Sequence, residues 1–342
     1  MNGYERIKTV LQGKKADKVP LMLHSFLPAA AESGFTMEEY RSNAGNMARS
    51  HINFARKYDL DGILLDVDTC VLAGAVGTIL ELPKDGPARA IAPASKNYDE
   101  LLELMDPKRL YACDRIKIIL EAVHIMRREI GGEIFIRGNC DQMAYSLAML
   151  AYGMEDFLAD LMDEDQSEKI LALIDKAYYV HFEYNKMMME AGADMTSFGD
   201  SSCGPDLISR DMFLKFSLPF HKRLKQDLER LNIATICHIC GNLDIIVDDV
   251  ASVGFTGVEV DYKTNLEKMA MSFKNKSTVF GPIDPSGMFY FGTPETMSAE
   301  VRKVLNCFHG EGIVLGAGCA IPKGAPEENI RTFTKTAREY MI

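Results

Sequence analysis

Eight short β-rich runs recur along the chain, most of them ending in polar or glycine-rich residues, and they limit the folds open to it. They are VPLMLH (19–24), GILLDVD (62–68), EIFIRGN (133–139), ADMTSFGD (193–200), IATICHIC (233–240), TGVEVD (256–261), STVFGPID (277–284) and GIVLGAG (312–318). Segments of helical periodicity separate most of them, among them EDFLADLMDEDQSEKILALIDKAYYVHFEYNKMMMEAG and SRDMFLKFSLPFHKRLKQDLERLN. Eight strands alternating with helices predict an α/β fold, a (β/α)8 TIM barrel. A doubly wound open sheet is the competing arrangement of the same alternation. The connections after the second and third runs are long, roughly 65 and 53 residues, and are expected to hold extra helices. Another is expected at the N-terminus, over the amphipathic MNGYERIKTVLQGKK.

Helix boundaries are legible in places. Ser209 is an expected N-cap, and Pro219 should kink or divide the helix that follows. Thr293-Pro294-Glu295 and Ala325-Pro326-Glu327-Glu328 read as helix starts, with proline near the first turn and acids facing the dipole.

A chain of 342 residues is long for one ordinary core, but α/β barrels of this length form one domain, expected here over 1–342. A net charge of −11 argues against bulk binding to nucleic acid or to an anionic membrane. No apolar run reaches the roughly 18 residues of a spanning helix. The charged N-terminal segment does not read as a signal peptide, and a cytoplasmic protein is expected. The eight cysteines, at 70, 113, 140, 203, 237, 240, 307 and 319, are scattered, so most are expected to be reduced core residues rather than a disulfide framework.

Active sites of such barrels lie at the C-terminal ends of the strands. Those ends carry His24, Asp66, Asp68, Asn139, Asp141, Asp200, His238, Cys240, Asp261, Asp284 and Cys319. Any one of them alone could be an ordinary loop residue. TICHICGN (235–242) is more pointed, because strand residues separated by one share a face. His238 and Cys240 could therefore grip one object. Cys319, just after the eighth run, could join them over the mouth of a closed barrel. One imidazole and two thiolates leave a tetrahedral position open, the form of a catalytic zinc site, and such ligands favour zinc over magnesium or calcium. Buried thiols with a hydrogen-bonded histidine are the alternative. Cys237 makes a C-x-x-C with Cys240 but should face the other side, into the core. Asp261, or Glu259 two residues earlier, could supply a fourth ligand; either could equally orient a loop.

On HICGN after the fifth run, GPIDP after the seventh with GTPE beyond it, GAGCAIPKGAPEENI near the end and RIKTVLQGKKADKVPL at the start, the chain resembles the uroporphyrinogen decarboxylase superfamily. Within it the chain resembles the corrinoid-dependent (cobamide) methyltransferase branch. The resemblance covers nearly the whole chain. It implies zinc on His238, Cys240 and Cys319, and less directly on Asp261. The decarboxylase itself is disfavoured. Its arginine-rich, RQAGR-like segment after the first strand is replaced here by HSFLPAAAESGF, without arginine, and Arg137 is one of few cations available to a polyanion.

The resemblance further implies a methyltransferase acting with a Co(I) corrinoid. No D-x-H-x-x-G segment leading into a cobalamin domain occurs, so the corrinoid (cobalamin) is expected on a separate partner protein. The expected reaction is O-demethylation of a methoxylated aromatic, on the similarity of GDSSCGPD after the fourth run to enzymes of that kind. Asp200 and Asp261 are the expected catalytic acids. His24, Phe26, Asn139, Met143, Tyr145 and Phe198, with Met288 nearby, are expected to enclose the substrate. Transfer from a methyl-corrinoid to a thiol such as coenzyme M uses the same three ligands and is the rival. A zinc-holding barrel that binds a ligand without turnover is the non-enzymatic reading. A homodimer is compatible with the chain.

Overall fold

Eight parallel strands form one ring. The computed structural model describes residues 1–341. The strands are β1 (Met22–Leu23), β2 (Gly62–Leu65), β5 (Phe135–Asn139), β6 (Met195–Gly199), β7 (Thr235–Ile239), β8 (Gly257–Val260), β9 (Thr278–Ile283) and β10 (Ile313–Ala317), paired in that order. A parallel bridge from Leu21 to Leu315, with Leu315 N donating to Pro20 O at 2.9 Å, closes the ring. The fold is the expected (β/α)8 barrel, and the open sheet is excluded by that closure. Each of the eight runs supplies one strand. The first is shorter than its apolar run, two residues, because Ser25 already begins the turn into the helix Phe26–Glu32.

Parity along each strand divides the side chains. Met22, Leu64, Phe135, Met195, Ile236, Phe280 and Val314 meet inside the ring. Their neighbours, such as Ile63, Ile136, Phe198, Cys237 and Val258, face the helices. Burying a residue of this size is worth roughly 1.5–3 kcal/mol, so both faces of every strand contribute. The N-terminal helix Gly3–Leu11 is held by an Asn2–Glu5 capping box. It inserts Ile7 into the interior set and stacks Tyr4 on Phe135, which plugs the end of the barrel opposite the mouth.

The long connection after β5 holds helices Ala144–Tyr152, Met154–Leu161 and Ser167–Glu190, as expected. The connection after β2 holds helices too, but it differs from the expectation of helices alone by an antiparallel ribbon of β3 (Ile79–Glu81) and β4 (Arg89–Ala92). Its strands are three and four residues long and largely solvated, too short for a periodic signal. Ser209 caps its helix by accepting from Met212 N at 3.2 Å. Pro219 divides the segment into Arg210–Phe216 and Leu218–Arg230, and it sits in a first turn where its missing N–H removes no helical bond. Thr293 caps Pro294–Phe308. No helix among the described residues is long and apolar enough to cross a membrane.

Candidate metal centre

His238 is the fourth residue of β7 and faces inward, on the parity that also sends Ile236 into the barrel. Its Nδ1 lies 3.0 Å from the carbonyl oxygen of Glu259 on the adjacent β8. With Nδ1–H donating there, Nε2 is the ring atom turned to Cys240, and its lone pair becomes available to a metal once its proton leaves. Nε2 lies 3.0 Å from Cys240 Sγ. Cys319 arrives from the loop after β10, and the three ligand atoms lie within 4.8 Å of one another. Zinc bonds of about 2.0 Å to nitrogen and 2.3 Å to sulfur place tetrahedral ligand atoms roughly 3.5–3.8 Å apart. The three donors therefore fit a zinc ion after shifts of a few tenths of an ångström to about one ångström.

The protons on this trio are unevenly held. A hydrogen bond from Cys319 and the charge of His238 draw the Cys240 thiol down to about 3, against the opposition of burial. The same hydrogen bond, and then burial, push Cys319 far up. Burial disfavours a charged His238, but the Cys240 sulfur and Glu259 outweigh it and raise the ring to about 10. Without a metal the centre is thus an imidazolium beside one thiolate and one thiol.

A charged floor lies beneath. Arg137 on β5 donates to the Glu259 carboxylate inside the barrel, and its guanidinium lies over the Phe280 ring at 5.4 Å. The other Glu259 oxygen is 3.7 Å from His238 Nδ1 and 3.8 Å from His24 Nδ1. His24 Nε2 bonds Asp66 at 2.5 Å, and Asp66 also accepts from Asn139 Nδ2 and Val67 N, each at 2.7 Å. Burial disfavours the His24 cation, but Asp66 and Glu259 hold it up to about 9. Phe26 lies beside this ring, centroids 5.7 Å apart. Burial and then the charge of Asp66 push Asp141 up to about 6.

Several expected site residues are placed elsewhere. Asp261 lies outside the trio's 4.8 Å gathering, and its two oxygens accept from Gly241 N at 2.9 Å and Lys263 N at 3.1 Å, which ties both loops together. Gly241 adopts a φ of +91° there, a conformation that strains any residue with a Cβ. Asp200 is a correction as a substrate acid. It is fully buried and accepts from Ser146 N and Oγ (2.9 and 2.6 Å), Ser217 Oγ (3.0 Å) and His221 Nε2 (2.7 Å). Asp200, Cys203 and His221 also gather within 4.8 Å, but that saturated carboxylate has no lone pair to spare for an ion. Phe198 points out of the ring and packs edge-on against His181, His221 and Phe255. Tyr145 packs on Phe157, and Met143 is wholly buried at the start of its helix. None of Met143, Tyr145 and Phe198 is open to a ligand. Asp68 is taken by Arg115 and Cys70 N, and Asp284 by the amides of Ser286 and Gly287.

Two features went unread in the sequence. The Arg137–Glu259 pair was signalled only by parity, each being two residues before a mouth residue. Ser201, whose hydroxyl lies 3.1 Å from Cys240 Sγ, belongs to the GDSSCGPD segment, but nothing in that segment points to Cys240.

The profile of the family "Uroporphyrinogen decarboxylase (URO-D)" matches residues 2–340. The methylcobamide:CoM methyltransferase MtbA of Methanosarcina mazei is 26% identical over 98% of this chain and 97% of its own. The methylcobamide:CoM methyltransferase MtaA of Methanosarcina barkeri is 28% identical over the same shares, 98% and 97%. Among solved structures, a methyltransferase from Methanosarcina mazei superposes with a TM-score of 0.86 at 23% identity, covering 99% of each chain, which shows the shared fold.

Proposed function

The chain belongs to the uroporphyrinogen decarboxylase family, and from that premise we propose that it is a zinc-dependent methyltransferase moving a methyl group between a corrinoid on a separate protein and a thiol. The observation that carries this is the convergence of the His238, Cys240 and Cys319 ligand atoms within 4.8 Å of one another, three donors where a tetrahedral zinc takes four. A zinc ion held by the three would lower the pKa of an incoming thiol and keep it as a nucleophilic thiolate. Two ligand thiolates already neutralise a divalent ion. That favours keeping a third sulfur electron-rich over polarising an ether oxygen. The named activity of the Methanosarcina relatives supports the same direction.

The chain's own residues do the positioning. Glu259 O fixes the His238 tautomer. The Arg137–Glu259 pair gives that strand end a rigid, neutral floor. His24 Nδ1 is buried and faces the Glu259 carboxylate at 3.8 Å, so this ring adds a cation to the floor beneath the trio. Phe26 flanks it.

Removal of a methyl group from a methoxylated aromatic is the second reading. It loses two of its supports, because Met143, Tyr145 and Phe198 do not line the mouth and Asp200 is already fully bonded. Decarboxylation of uroporphyrinogen lacks cations: Arg137 is neutralised by Glu259, and the segment after β1 has no arginine. A spectrophotometric assay separates the readings. Methylcobalamin should be demethylated when a thiol is added to the zinc-loaded protein. Appearance of methyl-Co(III) and a phenol from Co(I) cobalamin and an aryl methyl ether would put the ether reading first. No turnover in either direction, with a corrinoid protein supplied, would leave a binding barrel.

A further inference from the structure

We infer that Ser201 is a positioning residue of the metal centre, donating a hydrogen bond to the Cys240 thiolate and thereby keeping that sulfur from competing for the methyl group. Its hydroxyl oxygen is 3.1 Å from Cys240 Sγ, across 39 residues of sequence. The inference rests on the metal reading above. Once Nε2 of His238 turns to an ion and Cys319 is itself a ligand, Ser201 is the donor that Cys240 retains among the described residues.

The serine is not a loose surface hydroxyl. It opens the short 3-10 turn Ser201–Cys203, which is tied down at both ends. Asp200 N donates to His238 O at 2.9 Å, Ser202 N donates to Ser146 Oγ at 3.2 Å, and Cys203 N donates to Asp200 O at 3.1 Å. Behind them the Asp200 carboxylate is locked by Ser146, Ser217 and His221, all fully or almost fully buried. This explains a charged residue that the proposed chemistry does not otherwise use. The buried network sets the turn, and the turn aims one hydroxyl at one ligand sulfur.

The chemical consequence follows from the electron pair. Alkylation of Cys240 forms an S–C bond with a sulfur lone pair while the bond from carbon to its leaving group breaks, and that pair departs with cobalt or iodide. A hydrogen bond to sulfur stabilises the lone pair and slows this step. An incoming thiolate without such a donor stays the better nucleophile, so the methyl group goes to substrate and not to the protein.

The test uses the full chain loaded with cobalt(II) or zinc. In Ser201→Ala the sulfur-to-cobalt charge-transfer bands should move to lower energy, and Ser201→Thr should restore them. Iodoacetamide should alkylate Cys240 of the zinc-loaded Ser201→Ala protein about tenfold faster than wild type, read by peptide mass spectrometry; tenfold corresponds to about 1.4 kcal/mol, within the range of a charged hydrogen bond. Unchanged bands with an unchanged alkylation rate, or loss of cobalt from Ser201→Ala, overturn the role of Ser201. Absence of the bands from wild type overturns instead the metal centre on which it rests.

Discussion

Arg137 and Glu259 face one another across the inside of the barrel, guanidinium to carboxylate, from strands that are not neighbours, and both side chains are more than nine-tenths buried. Burial opposes the charge on Glu259, yet Arg137 and then His238 hold its carboxyl well below the usual range. Losing one member strands the other charge in the interior, which costs about 3–5 kcal/mol. Arg137→Met and Glu259→Gln should each lower unfolding stability by that order. The double variant should recover part of it, a coupling of about 1–3 kcal/mol in urea titrations. Additive losses would show that the two charges do not interact.

Metal content tests the trio directly. Cys240→Ala and Cys319→Ala should lose zinc and methyl transfer while keeping the barrel's circular dichroism, because the ring closes through Leu21 and Leu315 without any ion. Full zinc occupancy in Cys319→Ala would remove Cys319 from the centre.

Metal binding should also release protons. In the metal-free protein His238 is held protonated up to about 10 and Cys319 is a thiol, whereas zinc takes a neutral imidazole and a thiolate. Zinc affinity should therefore rise with pH between 6 and 8. Calorimetry in buffers of different ionisation enthalpy should show close to two protons released per zinc, one from each residue. No release would mean that two thiolates and a neutral ring already wait for the ion.

His24 gives a pH signature of stability. Its folded pKa, about 9, lies above the roughly 6.5 of an unfolded histidine, so the folded state binds the proton more tightly. The stability from its pairing with Asp66 is fully present below about pH 6.5 and is lost as pH rises through about 9. His24→Gln should flatten that loss. The comparison is urea midpoints of both proteins at pH 6.5 and pH 9; equal slopes would discount the pair.

Gly316 lies at the seam where β10 meets β1. A Cβ there would fall onto the backbone carbonyl oxygen of Met22, which no rotamer can relieve. Gly316→Ala should cost several kcal/mol, on the order of an overpacked core position, read as a large fall in Tm or loss of soluble protein. A Tm within a degree or two of wild type would show that the seam yields.

The sequence alone determined whatever depends on local periodicity and on short-range bonds. Eight apolar runs separated by helical segments narrow the fold to a barrel or a doubly wound sheet, since few arrangements bury both faces of that many strands; the closure from Leu21 to Leu315 chooses the barrel. The Ser209 cap and the Pro219 break follow from single-residue chemistry. Parity put His238 and Cys240 on one face and Cys237 on the other, and the two faces are indeed so divided. Tertiary structure decided which face was the inside. Strands buried on both sides are apolar on both, so Phe198 and Met195 look alike until the ring closes, and only then does Phe198 turn out to face the helices. It also decided what each carboxylate is spent on, because Asp261 accepts from backbone amides of two loops and Asp200 is satisfied by residues from two helices and the break before the second of them. The approach of Cys319 to His238, and of Ser201 to Cys240, depends on loops brought together by closure of the barrel, and no local pattern records a distance across that mouth.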